Sequence, residues 1–150
     1  MENDKIVESF FQAIENKDYA KAESLVTNNF KAIGISTEQL GVKEFLGMHR
    51  AYKTGMPDFR FNYKIGNVSQ NIVEAKVRPT GTHLKELPAP IPGLHNVPAT
   101  NRTLNLPEDK VRFTIKDNKI EKVQLEEIPG GRIARILKQL GVEIPTEVQH

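Results

Sequence analysis

Cysteine is absent from all 150 residues. That excludes a disulfide framework, a thiolate nucleophile and any zinc site built on cysteine sulfur. An excess of charge of one sign is also missing: 21 basic residues face 19 acidic ones, for a formal net charge of +2. Such a balance makes no electrostatic case for a nucleic-acid or membrane partner. No apolar run approaches the roughly 20 residues that span a bilayer. Met1–Asp18 is charged from the outset and carries no signal-peptide core. A reducing cytoplasm is therefore the expected setting. In that setting the Asn-x-Ser/Thr triplets at Asn67 and Asn101 are chance matches.

What is present is an ordinary globular composition, 38% hydrophobic and 27% charged. A chain of this length forms one domain and buries a core without staples. No repeat, linker or low-complexity tract divides it, so a single domain over residues 1–150 is expected.

Residues 4–16 carry Ile6, Val7, Phe10, Phe11 and Ile14 at helical spacing, with Asn3 or Asp4 as cap. "KDYAKAESLVT" reads as a second short helix and "NFKAIGI" as a short strand. "STEQLGVKEFLGMHRAYKTG" reads as a third helix capped by Ser36 or Thr37. Its residues Val42, Phe45, Leu46, His49 and Tyr52 lie close to one face. After Pro57 the period changes to two. Phe59, Phe61, Tyr63 and Ile65 alternate with polar residues, which predicts a half-buried strand. "IVEAKVRPTGTHL" is the next strand, and by its count His83 falls on the apolar side with Val73, Ala75 and Val77.

Residues 87–98 hold Pro88, Pro90, Pro92 and Pro98, a density that predicts a long loop. Strands resume with "RTLNL" and "KVRFTIKDNKIEKVQLEEI", the latter a hairpin turning at Asp117-Asn118. "RIARILKQLGV" reads as a last helix with Gly141 at its C-terminus. Helices come first, then antiparallel strands, then a closing helix. That order predicts an α+β fold, a sheet covered on one face by segregated helices.

With these elements placed, particular stretches resemble one family. They are "PDFRF", "TGTH", "VPATNRTLNLPEDKVRF", "DNKIEKV" and "ILKQLGVEIP", in that order over nearly the whole chain. Together they resemble the SnoaL-like polyketide cyclase and ester cyclase group of the nuclear transport factor 2-like superfamily. The resemblance implies a cone-shaped, strongly curved, mostly antiparallel sheet wrapped around N-terminal helices, with a short C-terminal helix. It also implies a pocket at the open end, homodimers paired through the convex sheet face, and an apolar or polyketide-like small molecule as ligand. The implied chemistry is metal-free and cofactor-free: a carboxylate on the last strand abstracts a proton alpha to a carbonyl, beside the "TGTH" histidine. A cyclase or isomerase would work in this way, needing a base of tuned pKa in an apolar cavity and a donor for the developing oxyanion.

The residues depart from that pattern where the base belongs. Counted from Ile120, the family's tryptophan position holds Gln124 and its aspartate position holds Ile128. Glu126 and Glu127 stand just before it. If the apolar face of the strand is the inner one, Glu127 points into the pocket; if the family register holds, Glu126 does. The expected catalytic set is Glu127, Glu126 and His83, set against solvated glutamates and a strand-end histidine. The expected pocket wall is His49, Tyr52, Phe61, Tyr63 and Gln124. The competing expectation is a non-catalytic module that binds an apolar ligand or dimerises. His95 and His150 receive no role, Arg132 at the start of the last helix could bind an anion but reads first as a surface arginine, and the histidine spacing predicts no metal site.

Overall fold

The structure is a computed structural model and describes residues 2–142. The end of "ILKQLGVEIP" and His150 lie outside the described residues. Helix α1 runs Asn3–Glu15 and buries Ile6, Val7, Phe10, Phe11 and Ile14, the stripe that its spacing predicts. Helix α2, Tyr19–Ser24, is capped by Asp18, whose Oδ1 accepts from the Lys21 N–H at 3.2 Å. Strand β1 spans Val26–Ile33, longer than expected. Helix α3 spans Val42–Gly55.

That helix starts later than the Ser36 or Thr37 cap predicts. Leu40 instead returns to β1 and exchanges both backbone hydrogen bonds with Ala32, at 2.8 and 2.9 Å. Those bonds hold residues 36–40 out of the helix. The helix start is then closed by the Glu44 carboxylate, which accepts from the Gly41 N–H at 3.1 Å.

Strands β2 (Lys64–Ser69) and β3 (Ile72–Val77) form a hairpin, and β4 (Thr80–Thr82) pairs with β5 (Thr103–Asn105). Two long strands predicted by alternation are therefore each cut in two. Pro79, which has no N–H to give a ladder, separates β3 from β4. Asn62 breaks the other strand with a left-handed backbone, φ 50°, and its amide donates to the Arg78 carbonyl and to Thr80 Oγ1, both at 2.9 Å. The side-chain alternation survives the breaks: Phe59 and Phe61 are buried, and so are Val77, Gly81 and His83.

Strands β6 (Asp109–Lys116) and β7 (Lys119–Gln124) turn at Asp117-Asn118, as expected. Both turn residues have positive φ, 53° and 63°, the pairing a two-residue hairpin of matching twist requires. The main sheet has the order β1-β7-β6-β3-β2, antiparallel except for β1 beside β7. Val73, Ala75, Val111, Phe113, Ile115, Ile120 and Val123 bury one face. Lys76, Lys110, Arg112 and Lys116 expose the other. The fold is thus the expected α+β arrangement, with helices on one side of a mostly antiparallel sheet.

The closing helix α4 spans Gly131–Gln139. Only glycine fits at its entry: Gly131 has φ 75°, and a Cβ there would stand 2.6 Å from the Ile35 carbonyl oxygen. The close approach lets the Arg132 and Ile133 N–H groups donate to the Gly34 and Ile35 carbonyls at 3.2 and 2.9 Å. The exit is a Schellman turn on Gly141: its N–H donates to the Lys138 carbonyl, and the Val142 N–H to that of Leu137.

Candidate functional site

Between α1, α3, α4 and the buried sheet face lies a cavity of about 80 Å³. Phe10, Phe11 and Ile14 of α1, Phe45, Met48, His49 and Tyr52 of α3, and Val111, Phe113, Val123 and Leu125 supply much of its wall. Each arrives there by simple periodicity, the helical stripe on one side and strand parity on the other. The wall is apolar except at His49, Tyr52, Asp109 and Arg132.

His49 and Tyr52 form the first polar feature. They lie one turn apart on α3, with ring centroids 5.5 Å apart and nearly perpendicular. His49 is also packed edge-on against Phe45 at 4.7 Å. Its Nδ1 and the Tyr52 hydroxyl are buried and have no hydrogen-bond partner among the described residues. Burial pushes the His49 imidazole down to about 3, so the ring is neutral at physiological pH. Burial likewise raises the Tyr52 phenol far above its ordinary value, so it remains a hydroxyl donor.

Asp109 and Arg132 form the second. The Arg132 Nε donates to Asp109 Oδ2 at 2.7 Å and its Nη2 to Oδ1 at 2.9 Å. A third donor, Nη1, reaches the Glu126 backbone carbonyl. Arg132 is only 6% exposed. This pair belongs to two spaces at once. Asp109, Val111, Leu125 and Arg132 line the cavity, and they also line an outer cleft of about 440 Å³ whose other walls include Glu74, Glu108, Lys110, Arg112, Gln124 and Glu126.

The expected site residues are distributed unevenly over this geometry. His49, Tyr52 and Phe61 line the cavity. Gln124 and Glu126 line the outer cleft, and Glu127 lines neither space. Both glutamates are exposed. The parity that carries Val123 and Leu125 inward does not extend to Glu127, three residues past the end of β7. The carboxylate on the cavity wall is instead Asp109. Tyr63 is half-buried outside the lining, stacked on Phe11 at 4.5 Å, with its hydroxyl 3.4 Å from the Gln12 amide nitrogen.

His83 is fully buried on the apolar side, yet it is not part of the cavity lining. It sits under the proline-rich loop, with Nδ1 3.0 Å from Thr100 Oγ1 and Nε2 buried without a partner among the described residues. Burial lowers its pKa, and backbone groups of Val97 and Lys85 work against that shift. The loop itself is ordered at its neck: Leu87 and Val97 exchange both backbone hydrogen bonds at 2.8 Å.

Sequence reasoning missed Asp109, and Arg132 is buried rather than the surface arginine expected. Both were within reach of that reasoning. Asp109 shares strand parity with Val111, Phe113 and Ile115, and Arg132 stands one helical turn before Ile136 on the buried stripe. No group of three or more metal-binding side chains occurs among the described residues, and no described helix is long and apolar enough to cross a membrane.

No protein-family model matches the chain, and no curated protein matches it. Solved structures do. IdmH, a candidate polyketide cyclase from Streptomyces antibioticus, is 16% identical, with a TM-score of 0.67 over 95% of this chain and 100% of its own. A candidate SnoaL-like polyketide cyclase from Jannaschia sp. CCS1 is 19% identical, with a TM-score of 0.63 over 83% of each chain. AclR, a candidate hydroxylase from Streptomyces galilaeus, is 10% identical, with a TM-score of 0.62 over 91% of this chain and 81% of its own. Differently named activities thus share the architecture, and architecture does not select among them. The chain has the SnoaL-like fold of these polyketide cyclase structures.

Proposed function

We propose that the protein binds a small, largely apolar molecule carrying a hydrogen-bonding oxygen, as a ketone does. The apolar body occupies the cavity, and the oxygen meets Tyr52 and His49. The observation that carries this reading is a pair of buried polar atoms, Tyr52 Oη and His49 Nδ1, without a partner among the described residues on a largely apolar wall. A buried polar group left unsatisfied costs about 1–3 kcal/mol, and a ligand oxygen recovers part of that. The polyketide cyclase names of the fold neighbours support a carbonyl compound as the class. The cavity of about 80 Å³ accepts only a short apolar portion of such a molecule, since sites for whole drug-sized ligands run to roughly 300–1,000 Å³.

A second reading is favoured by Asp109 on the same wall. A carboxylate there takes the proton alpha to the ligand carbonyl. The electron pair moves to the carbonyl oxygen, and the Tyr52 hydroxyl stabilises the resulting enolate. The base role that the resemblance gives to Glu126 or Glu127 passes to Asp109 in this reading, and His83 has no direct part. The test is a titration with 2-hexanone, followed by thermal melting and by NMR in D₂O. Binding is expected to raise the melting point by mass action and to weaken in Tyr52→Phe. Absence of any shift at millimolar 2-hexanone overturns the binding reading. Enzyme-dependent deuteration of the ligand's alpha positions supports the catalytic one, and binding without deuteration rejects it.

A further inference from the structure

The Asp109–Arg132 pair is an expensive thing to build into the wall of an apolar cavity. A buried ion pair is seldom more stable than apolar side chains of the same volume, so stability alone does not account for it. Its surroundings are unbalanced as well. Arg135 places Nη1 3.7 Å from Asp109 Oδ2, the oxygen that already accepts from Arg132 Nε. Two guanidiniums therefore share one carboxylate. Among the described residues no other carboxylate lies within 4.0 Å of either guanidinium. Glu126 contributes only its backbone carbonyl to Arg132, and Arg112 is paired with Glu74 across the sheet face at 3.4 Å. Asp109, Arg132 and Arg135 by themselves sum to one positive charge where the apolar cavity meets the polar cleft, whose remaining walls add Glu74, Glu108, Glu126, Lys110 and Arg112.

Arg132 also has donors to spare. Its Nη1 and Nη2 each use one N–H, which leaves one on each without a partner among the described residues. We infer that the cavity and the outer cleft form one bipartite site for a small amphiphilic carboxylate, with its apolar chain inside and its carboxylate on Arg132. This inference rests on the binding reading above and adds the ligand's charged end to it. An entering carboxylate brings the cluster of Asp109, Arg132 and Arg135 to neutrality. Arg135, half-exposed and already near Oδ2, takes a larger share of Asp109 as Arg132 turns part of its fork to the ligand. Glu108 and Glu126 on the cleft wall disfavour a second negative charge farther out, so a monoanion fits better than a dianion.

The experiment compares three probes of equal chain length, hexanoate, 1-hexanol and 2-hexanone, by NMR titration of the full chain at low ionic strength. Hexanoate is expected to bind at least tenfold more tightly than 1-hexanol, with that advantage lost in Arg132→Gln. Succinate, the dianion control, is expected to bind more weakly than hexanoate. Because Arg132→Gln can unfold the protein, Arg135→Gln at the half-exposed position serves as the second variant. There the hexanoate advantage is expected to fall several-fold while 1-hexanol binding stays unchanged. Equal affinity for hexanoate and 1-hexanol overturns the inference and leaves the apolar-ligand reading standing. A hexanoate advantage that survives both variants overturns the assignment to this cluster. Failure of all three six-carbon probes to bind overturns both readings together.

Discussion

Arg132 holds Asp109 through two parallel hydrogen bonds, Nε to Oδ2 at 2.7 Å and Nη2 to Oδ1 at 2.9 Å, and the pair forms the wall between an apolar cavity and a polar cleft. The bond ties the first turn of α4 to the first residue of β6. Removing Asp109 leaves the Arg132 charge buried without its partner. Asp109→Ala is therefore expected to lose about 3 kcal/mol of stability, the usual scale for breaking a buried pair from one side. The double variant Asp109→Leu/Arg132→Met is expected to regain most of it. Urea unfolding curves of the three proteins check this, and a double variant no more stable than Asp109→Ala contradicts it.

His49 makes stability depend on pH. Its folded-state pKa, about 3, lies below the ordinary histidine value of 6.5. Below pH 6.5 the unfolded chain takes up a proton that the folded protein refuses, so this contribution is lost as pH falls from 6.5 towards 3. Full expression of such a shift amounts to something on the order of 5 kcal/mol. His49→Phe is expected to flatten that part of the profile, because it removes the titrating group and keeps an aromatic ring at the position. His83, whose pKa burial also lowers, contributes in the same direction and remains in both proteins. Urea midpoints measured across this window should fall less steeply for the variant; parallel profiles refute the assignment.

The two glutamates and the aspartate separate cleanly by substitution. Glu126→Gln/Glu127→Gln alters exposed side chains off the cavity wall. Its affinity for 2-hexanone is expected to stay within about twofold of wild type, less than 0.5 kcal/mol. Any alpha-proton exchange is expected to persist in it and to disappear in Asp109→Asn, with circular dichroism confirming that both variants fold. Loss of exchange in the double glutamine variant returns the base role to the last strand.

Leu87 anchors the neck of the proline-rich loop. It is fully buried, and it exchanges two backbone bonds with Val97 at 2.8 Å. Leu87→Ala is expected to cost about 2–5 kcal/mol through the lost contacts and the remaining void. The Leu87 and Val97 amides are expected to resist hydrogen exchange in the wild type and to exchange faster in the variant. Rapid exchange of both amides in the wild type shows that the neck does not close the loop.

Much of this architecture was legible because it depends on local periodicity. The α1 stripe from Ile6 to Ile14 could only bury one face, and Asp117-Asn118 tolerates the left-handed backbone that a two-residue turn demands. Strand parity placed His83 on the apolar side and would equally have placed Asp109 there. The breaks were harder to see. Asn62 leaves the strand conformation because two distant acceptors, the Arg78 carbonyl and Thr80 Oγ1, capture its amide. Residues 36–40 leave the expected helix because Ala32 captures Leu40. Neither partner is near in sequence.

The candidate site divides along the same line. His49 and Tyr52 share the apolar stripe of α3 and Phe61 the buried parity of its segment, all three on the cavity wall, whereas Tyr63 and Gln124 fall outside it. The sequence by itself determined which residues share a face, since the 3.6 and 2.0 periods of helix and strand are properties of the backbone. Only the tertiary structure decided where those faces end and which charged groups meet. The inward face shared by Val123 and Leu125 stops before Glu127, beyond the end of β7, and Glu126 stays on the exposed side with Gln124. The docking of α4 through Gly131 brought Arg132 onto Asp109, 23 residues away. A salt bridge depends on distance in space, which no local period encodes.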